Sequence, residues 1–398
     1  GSRTSQPTRA YACCWAAAQE PRAAVDAGAT ALLVRWQSAP RAATHPPPSA
    51  RAHPPPSMAI ALLALSSKGE IAPLLTGIAL LLLLARQLLQ RSHAARVCMI
   101  TRGLVHVTPD ASHAPSDAAH GGACGFARVL RLEHAHLHGR AIDVPRGLHL
   151  AAVARRTVAM APPPPTDDDA SVGARGWHAA RLRACALGTP SAGRRVRLAG
   201  GAYAITGGLG GLGLRAAALL VERGAARAAL ASRRGRVARD GQGLDAQLRG
   251  LGTRAAALAC DCADGRDAGA LVSAKPPLSG VLHAAGVLRD RMLCAMTASH
   301  VRDVFSSKAC GASHLVAGLA ASACGIMAFF SSMASALGNV GQGNYAAANA
   351  YLDVTAASRR ANGVAAFGIQ LPAVRGAGMA ARTLFASAGS GDDVGAID

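Results

Sequence analysis

The chain has 398 residues, 51% of them hydrophobic, and carries 42 Lys+Arg against 22 Asp+Glu for a formal net charge of +20. A chain of this length can bury the cores of two ordinary domains. Nearly all the positive charge is arginine, scattered without interleaved aromatic residues, so the charge predicts no specific nucleic-acid interface.

Neither a metal centre nor a membrane span is expected. The ten cysteines lack the paired spacing of a zinc site, and a chain this apolar does not need disulfide staples, so we expect reduced thiols. The strongest membrane candidate, 71–85, contains Pro73 and is shorter than the ~20 residues that cross a bilayer, which favours a buried helix. Localisation stays open between the cytoplasm and a plastid, because the sequence begins without an initiator methionine.

The N-terminal segments predict little regular structure. Residues 1–28 show no sustained period and are interpreted as a linker. A short strand is predicted at 31–37, and the proline-rich stretch 42–57 predicts an extended, solvated spacer.

A first α/β region follows from Met58. Its predicted elements are strand 60–65, helix 72–90, strand 96–107, helix 118–133 and a loop at 161–169. Strand, helix and strand in this order predict a parallel crossover. Thr101-Arg102-Gly103 stands where a glycine-rich phosphate turn would be expected, so the region is predicted to lack that turn.

A second α/β region begins near Gly200, after a connector at 185–198. Its first strand, 202–206, runs directly into a glycine-rich turn and a helix to about residue 224. The turn consists of Gly207, Gly208, Leu209, Gly210, Gly211, Leu212 and Gly213. Glycines permit a tight turn and close approach of a pyrophosphate, and the helix N-terminus offers free N–H groups. A glycine turn between a strand and a helix therefore predicts a dinucleotide site.

The next strand, 227–231, indicates which dinucleotide binds. It ends in Ser232-Arg233-Arg234, where NAD-binding folds place an acidic residue for the ribose hydroxyls. Arginine at this position favours a 2′-phosphate, so the predicted cofactor is NADPH.

Two later strands are expected to end at the same cleft. The candidate lining residues that follow these strands are Asp261, Cys262, Ala284, Ala285 and Gly286. Asp261 is expected to accept a hydrogen bond from the adenine amino group, although a solvated turn aspartate fits the sequence nearly as well.

Polar residues near the end of the chain suggest a catalytic set. A strand at 326–330 runs into Ser331-Ser332, and Tyr345 comes 13 residues after Ser332. Asn349 lies four residues beyond the tyrosine, so the two side chains share one face of a helix.

The order of these motifs resembles the ketoreductases of modular polyketide synthases and animal-type fatty acid synthases, a branch of the short-chain dehydrogenases. The motifs are TGGLGGLG, SRRG, ACD, HAAGVL, Lys308, FFSS and GQGNYAAANAYLD. In that branch the active lysine precedes the tyrosine by 37 residues, as Lys308 precedes Tyr345 here. In the first half, ARVCMITRGLVHV and GFARVLRLEHAHLHGRAIDV are similar to the truncated, cofactor-free subdomain of these reductases.

The resemblance implies an α/β chain with two Rossmann-like subdomains. They would be a structural subdomain at 29–198, which contains the proline-rich insert, and a catalytic subdomain at 199–385 with a doubly wound parallel sheet. Linkers would occupy 1–28 and 386–398. The implied reaction is the NADPH-dependent reduction of a 3-ketoacyl thioester held by an acyl carrier protein or domain, next to other synthase domains.

The resemblance also implies a role for each site residue. Tyr345 would donate a proton to the developing alkoxide, and the Lys308 cation would lower the pKa of the phenol. Ser332 would hydrogen-bond the substrate carbonyl, and Asn349 would fix the water or the lysine of the proton relay. Pro372 and the backbone after it would hold the nicotinamide amide.

Two departures from the family pattern concern stereochemistry. Many relatives carry an aspartate pair where this chain has Leu288-Arg289-Asp290, and the opposite stereochemical class carries a tryptophan where this chain has Leu337. We expect the D-3-hydroxyacyl product; the acyl chain length stays open.

Three alternatives remain at this point. A short-chain dehydrogenase acting on a free small carbonyl compound would not need the long cofactor-free first half. A non-catalytic NADPH-binding remnant of a synthase would show a broken Tyr/Ser/Lys set. A basic nucleic-acid-binding protein would be retained on nucleic acid at physiological salt.

Overall fold

The structure, a computed structural model, describes residues 10–18, 34–36, 57–62, 75–90, 95–104, 118–137, 139–144, 169–173, 176–185, 198, 200–237, 243–274, 276–320 and 324–374. The strands in these ranges are β1 Ala10–Ala18, β2 Val34–Trp36, β3 Ser57–Leu62, β4 Ala95–Arg102, β5 Arg140–Val144, β6 Asp169–Gly173, β7 Gly176–Cys185, β8 Ala202–Thr206, β9 Arg227–Ser232, β10 Ala255–Ala259, β11 Leu278–His283, β12 Ile326–Ser332 and β13 Ala366–Leu371. The α-helices are α1 Leu75–Leu89, α2 Gly122–Glu133, α3 Gly211–Glu222, α4 Leu244–Gly250, α5 Gly265–Val272, α6 Ala298–Phe305, α7 Gly311–Gly318, α8 Met333–Leu337 and α9 Gly343–Ala361.

The first sheet has a parallel centre and antiparallel edges. Its order over the described strands is β1-β7-β6-β5-β4-β3-β2. Strands β3, β4, β5 and β6 pair in parallel, while β2, β7 and β1 join antiparallel to their neighbours. The predicted parallel crossover is confirmed, since α1 connects β3 to β4 along the chain.

The second sheet is parallel throughout its described strands, in the order β10-β9-β8-β11-β12-β13. The strand order reverses between β8 and β11, as in doubly wound dinucleotide-binding sheets, whose ligands lie outside the carboxyl ends at this switch point. The α/β fold class with Rossmann-like sheets is thus confirmed, and the switch point is where the candidate site should be sought.

The N-terminal prediction was wrong over part of its length. Residues 10–18 lie in the segment interpreted as a linker, yet they form β1 and pair antiparallel with β7 from Ala10↔Cys185 to Ala18↔Trp177. The partner strand lies more than 150 residues away, and a scan for local periodicity cannot detect backbone pairing over that separation.

Other boundaries moved by a few residues. The strand predicted at 96–107 ends at Arg102, because Gly103 adopts φ 69° and its N–H donates to the Val144 carbonyl. The strand predicted at 60–65 begins at Ser57, the last residue of the predicted spacer, where it pairs with β4. The rest of that spacer, residues 161–168 of the predicted loop and the linker at 386–398 lie outside the described residues.

One apolar core connects the two halves of the molecule. Phe126 of α2 and Tyr351 of α9 are both fully buried in the same cluster. Helix α2 packs so closely on α9 that a Cβ at Gly125 would lie 2.3 Å from the carbonyl oxygen of Ala346. Helix α1 buries one face, which includes Leu81, against this cluster. Among the described helices, none combines the length and apolarity of a membrane span.

Candidate active site

The predicted glycine turn lies at the switch point of the second sheet. Gly207 follows β8 with φ +68°, and a Cβ there would lie 2.7 Å from the Ala284 carbonyl oxygen. Gly210 is extended, and α3 starts at the next residue. A Cβ at Gly213 would lie 2.4 Å from the Gly207 carbonyl oxygen, so the turn closes only with hydrogen at that position. The turn thus has the shape of an anion cradle at a helix N-terminus.

A cavity of about 840 Å³ opens beside this turn. The predicted cofactor residues that line it are Gly207, Leu209, Gly210, Gly211, Leu212, Gly213, Ser232, Arg233, Arg234, Asp261, Cys262, Ala284, Ala285 and Gly286. Gly208 instead packs under β9, where a Cβ would lie 2.8 Å from Leu230 Cα. Pro372, beyond β13, is half-buried and is not part of the lining.

The cavity also has walls that the motif reasoning missed. They are Thr206, Arg236, Val237, Leu244, Cys260, Val287 and Ser307. Arg236 lies only two residues beyond the arginine pair, and a search for clustered cations would have found it. Ser307 comes from a distant segment and carries no local signal.

The lining fits a phosphorylated dinucleotide. Arg233, Arg234 and Arg236 are exposed at the rim formed by the end of β9. Guanidinium groups bind phosphate oxygens well, so this rim suits an anionic ligand with an additional phosphate. Asp261 lines the cavity and also closes its own turn, because its Oδ1 accepts the Ala263 N–H at 3.1 Å.

The four predicted catalytic residues lie together beyond the described cavity lining. Lys308 belongs to a π-helical turn at Ser306–Cys310, is 2% exposed, and donates from Nζ to the Phe330 carbonyl at 2.9 Å. Its Nζ lies 5.3 Å from the centroid of the Tyr345 ring. Ser332 ends β12, and its Oγ accepts the Ala334 N–H at 3.2 Å, which caps α8.

Asn349 sits on the same face of α9 as the tyrosine. Its Nδ2 donates to the Tyr345 carbonyl oxygen at 2.8 Å. Its Oδ1 is buried and has no hydrogen-bond partner among the described residues. A buried acceptor without a partner costs free energy, so this oxygen is suited to receive a hydrogen bond from a bound molecule.

Burial shifts the pKa values of the lysine and the tyrosine in opposite directions. It lowers the pKa of Lys308 to about 8, against the opposing charge of Asp353. It raises the pKa of Tyr345, and the neighbouring Asn349 and Ser332 side chains oppose that rise. The structure therefore differs from the expectation that Lys308 lowers the tyrosine pKa, because desolvation of the phenol dominates.

Comparison with known proteins agrees with this geometry. The family model described as the KR domain matches residues 201–376. A solved structure of A-type ketoreductases from a modular polyketide synthase is 34% identical with a TM-score of 0.69, covering 81% of this chain and 68% of that chain. This chain belongs to the ketoreductase domains of modular polyketide synthases.

Further relatives show the context of the family. The first ketoreductase of the tylosin polyketide synthase is 32% identical with a TM-score of 0.65, covering 79% of this chain and 66% of that one. Polyketide synthase GfsB of Streptomyces halstedii is 34% identical over 306 residues, which are 74% of this chain and 5% of that protein. The 6-methylsalicylic acid synthase of Aspergillus terreus is 32% identical over 206 residues, 47% of this chain and 11% of the synthase. The ketoreductase domain thus spans a small part of the curated relatives it matches.

A partly buried carboxylate, Asp353, acts electrostatically on Lys308 and was not predicted. Asp353 Oδ2 accepts hydrogen bonds from Ser335 Oγ at 2.5 Å and from Gln370 Nε2 at 2.8 Å. Asp353 continues the four-residue spacing of Tyr345 and Asn349 on α9, so that spacing was a usable signal. Gln370 lies on β13 and offers no such signal.

A buried histidine connects the cofactor turn to the lysine segment. His283 Nδ1 lies 2.7 Å from Thr206 Oγ1, and Nε2 lies 2.8 Å from the Lys308 carbonyl oxygen. Burial and, to a smaller extent, the Lys308 charge together lower the pKa of His283 to about 4, so the ring is neutral at pH 7. The histidine thereby ties the end of β8 to the π-helical turn.

Proposed function

We propose that this ketoreductase domain uses NADPH to reduce a 3-ketoacyl thioester, held by an acyl carrier protein or domain, to the 3-hydroxyacyl thioester. The observation that carries the proposal is the proximity of a buried Lys308 cation to Tyr345, close to a cavity rimmed by arginines. NADPH, when bound, supplies a hydride to the β-carbon of the substrate.

The protein has to supply a proton and electrostatic support for the oxygen that becomes an alcohol. Because burial raises the pKa of Tyr345, its phenol stays protonated at neutral pH and is the proton donor. Ser332 lies at the end of β12, beside that phenol, and its hydroxyl hydrogen-bonds the carbonyl oxygen of the substrate.

Lys308 and Asn349 support the donor. With a pKa of about 8, Lys308 is mostly protonated at pH 7, and its cation stabilises negative charge that develops near the phenol. The free Oδ1 of Asn349 accepts a hydrogen bond from the water that resupplies the proton.

NADPH is preferred over NADH in this proposal because of the arginines at the end of β9. Arg233, Arg234 and Arg236 are exposed beside the cavity, where a 2′-phosphate would pair with guanidinium groups. The cavity also takes its walls from the last residue of β8 and from the residues that directly follow β10 and β11, where a ligand at a switch point lies.

Two further features of the reaction are part of the proposal. The acyl carrier and the neighbouring synthase domains are proposed as partners because the curated relatives are far longer polyketide synthases. The D-3-hydroxyacyl product stays a prediction from Leu288-Arg289-Asp290 and Leu337, and chiral chromatography of the product checks it.

The test follows NADPH absorbance with a 3-ketoacyl thioester mimic, with NADH as the cofactor control. Tyr345→Phe should lower kcat by at least ~100-fold, since it removes the proton donor, while NADPH affinity stays unchanged. Tyr351→Phe is the matched control: it removes a buried phenolic hydroxyl from the same helix and should keep kcat.

The outcomes separate the alternatives. Equal rates in wild type and Tyr345→Phe would overturn the assigned role of the tyrosine. A wild type that binds NADPH and reduces neither the mimic nor a carrier-loaded substrate would be a non-catalytic remnant. Faster reduction of small free ketones than of thioesters would indicate a short-chain dehydrogenase of free substrates.

A further inference from the structure

A buried carboxylate from the first half of the molecule reaches the loops around the catalytic tyrosine. Glu133 is the last residue of α2, and its side chain has 0% exposure. Its Oε2 accepts the Leu293 N–H at 2.6 Å, and its Oε1 accepts the Gly341 N–H at 2.8 Å. A single side chain therefore joins two segments that are far apart in the second half.

Both segments lead directly to the candidate active site. The segment that contains Leu293 follows β11 and begins with the cavity-lining residues Ala284, Ala285 and Gly286. Gly341 lies two residues before α9 and four before Tyr345, with φ +80°. The Arg291 N–H also donates to the Gly341 carbonyl at 2.8 Å, so the two segments are joined next to the carboxylate as well.

The rest of α2 fixes the neighbouring backbone. Arg128 donates from Nη1 to the carbonyl of Ser335, three residues beyond Ser332. Gly125 lets the helix contact the backbone of Ala346, the residue after the tyrosine. Helix α2 thus contacts the chain next to Ser332 and next to Tyr345, the two groups proposed to hydrogen-bond the substrate. No residue of α2 lines the cavity.

We propose that Glu133 is a positioning residue through which the first half of the domain orders the two loops that hold Tyr345 in place. A carboxylate suits this role because its two oxygens accept from two N–H groups at once. A glutamine offers one acceptor oxygen and would turn an NH₂ group toward the second N–H. The effect on turnover rests on the proposed function, while the effect on the loops does not.

The test compares Glu133→Gln with Glu222→Gln, which makes the same change of charge and shape at an exposed position in the last turn of α3. Hydrogen–deuterium exchange is followed in peptides that cover 288–297 and 338–344, with β8 and β12 as internal references. Glu133→Gln should speed exchange in the two loop peptides by about 10-fold or more, because the Leu293 and Gly341 N–H groups share a buried carboxylate that the variant lacks. The reference strands and the Glu222→Gln protein should match the wild type.

Kinetics provide the second measurement. Glu133→Gln should lower kcat/KM by about 10-fold or more with NADPH affinity unchanged, since no atom of α2 lines the cavity. If Glu133→Gln does not fold, Glu133→Asp replaces it. Its shorter carboxylate can reach one N–H group, so exchange should rise in one of the two loop peptides.

Several results would overturn the proposal. They are unchanged exchange in both loops, an equal rise in the loops and the reference strands, or a loss of NADPH affinity as large as the loss of kcat/KM. A wild type without turnover would count against the proposed function alone, because the exchange measurement needs no substrate.

Discussion

The two sheets of this ketoreductase domain end their central strands in similar ways. Thr101, the next-to-last residue of β4, and Thr206, the last residue of β8, are both buried. Each hydroxyl contacts a side chain of the neighbouring parallel strand: Asp143 at 2.9 Å in the first sheet and His283 at 2.7 Å in the second. A glycine at positive φ comes after each strand, 69° in one case and 68° in the other.

The residues after that glycine differ between the sheets. In the first sheet, the Leu104 N–H donates to both oxygens of Asp143, at 3.1 and 3.0 Å. The Asp143 carboxylate thus accepts the turn N–H that a bound phosphate would need, and its negative charge repels an anion. In the second sheet, the turn continues through four more glycines into the N-terminus of α3, beside a cavity of about 840 Å³. The arrangement that the two strand ends share is therefore not sufficient for a phosphate-binding site. Such a site depends on the free amides and the charges at the strand end.

A side chain in the glycine turn after β8 should remove the cofactor binding that distinguishes the second sheet from the first. In Gly213→Ala the new Cβ would meet the Gly207 carbonyl oxygen at 2.4 Å, so the turn cannot close. NADPH affinity, measured by fluorescence titration, should fall by ~1,000-fold or more, about 4 kcal/mol. Gly269→Ala, with nothing within 4 Å of the added Cβ, should bind normally. Tight binding by Gly213→Ala would show that this turn does not hold the cofactor.

His283, the last residue of β11, should make the free energy of unfolding depend on pH. The pKa of His283 lies at about 4 in the folded protein against 6.5 for a free histidine. The stabilisation by the neutral, buried ring is therefore fully present above pH 6.5 and is lost as the pH falls through 6.5 toward 4. Between pH 7 and pH 4 the loss should be about 3 kcal/mol in urea unfolding. His283→Gln should lack that part of the slope, and parallel curves for the two proteins would contradict the assignment.

The carboxylate of Asp143, the next-to-last residue of β5, should support stability without affecting cofactor binding. Asp143→Asn loses one acceptor oxygen of a buried group that receives hydrogen bonds from Thr101 and Leu104. We expect a loss of about 2 kcal/mol in chemical denaturation and no change in NADPH affinity. Asp245→Asn, on the exposed side of α4, is the control. Weaker NADPH binding in Asp143→Asn would mean that the first sheet contributes to the cofactor site.

Of the four substitutions, the one at Asp353, whose charge acts on Lys308, should have the mildest effect. The proposed role of the Lys308 cation predicts that activity falls as the pH rises through its pKa of about 8, and the Asp353 charge raises that pKa. In Asp353→Asn the alkaline limb of kcat/KM should therefore move to lower pH, with only a few-fold loss at pH 7. An unmoved limb would show that another group sets it.

Much of the second half was predictable because its signals are local. The strand predicted at 202–206 is β8 without any shift, and the glycine turn was found from the strand before it and the helix after it. The shared face of Tyr345 and Asn349 follows from the helical period alone. The first half was less predictable: β1 depends on pairing with β7, and the carboxylate of Asp143 lies 42 residues from Thr101.

The amino-acid sequence alone was enough to find five strands of the second half, the helix after the glycine turn, the anion cradle and the candidate catalytic set, since each depends on residues within one or two turns of chain or on motif order. The helices α4 to α8 and the strand β13 were not predicted. The three-dimensional arrangement was needed to learn that burial raises the pKa of Tyr345 and that Glu133 reaches Gly341 from 208 residues away. Desolvation and such contacts depend on which segments meet in space. The neighbours of a residue along the chain do not show which distant segments it contacts.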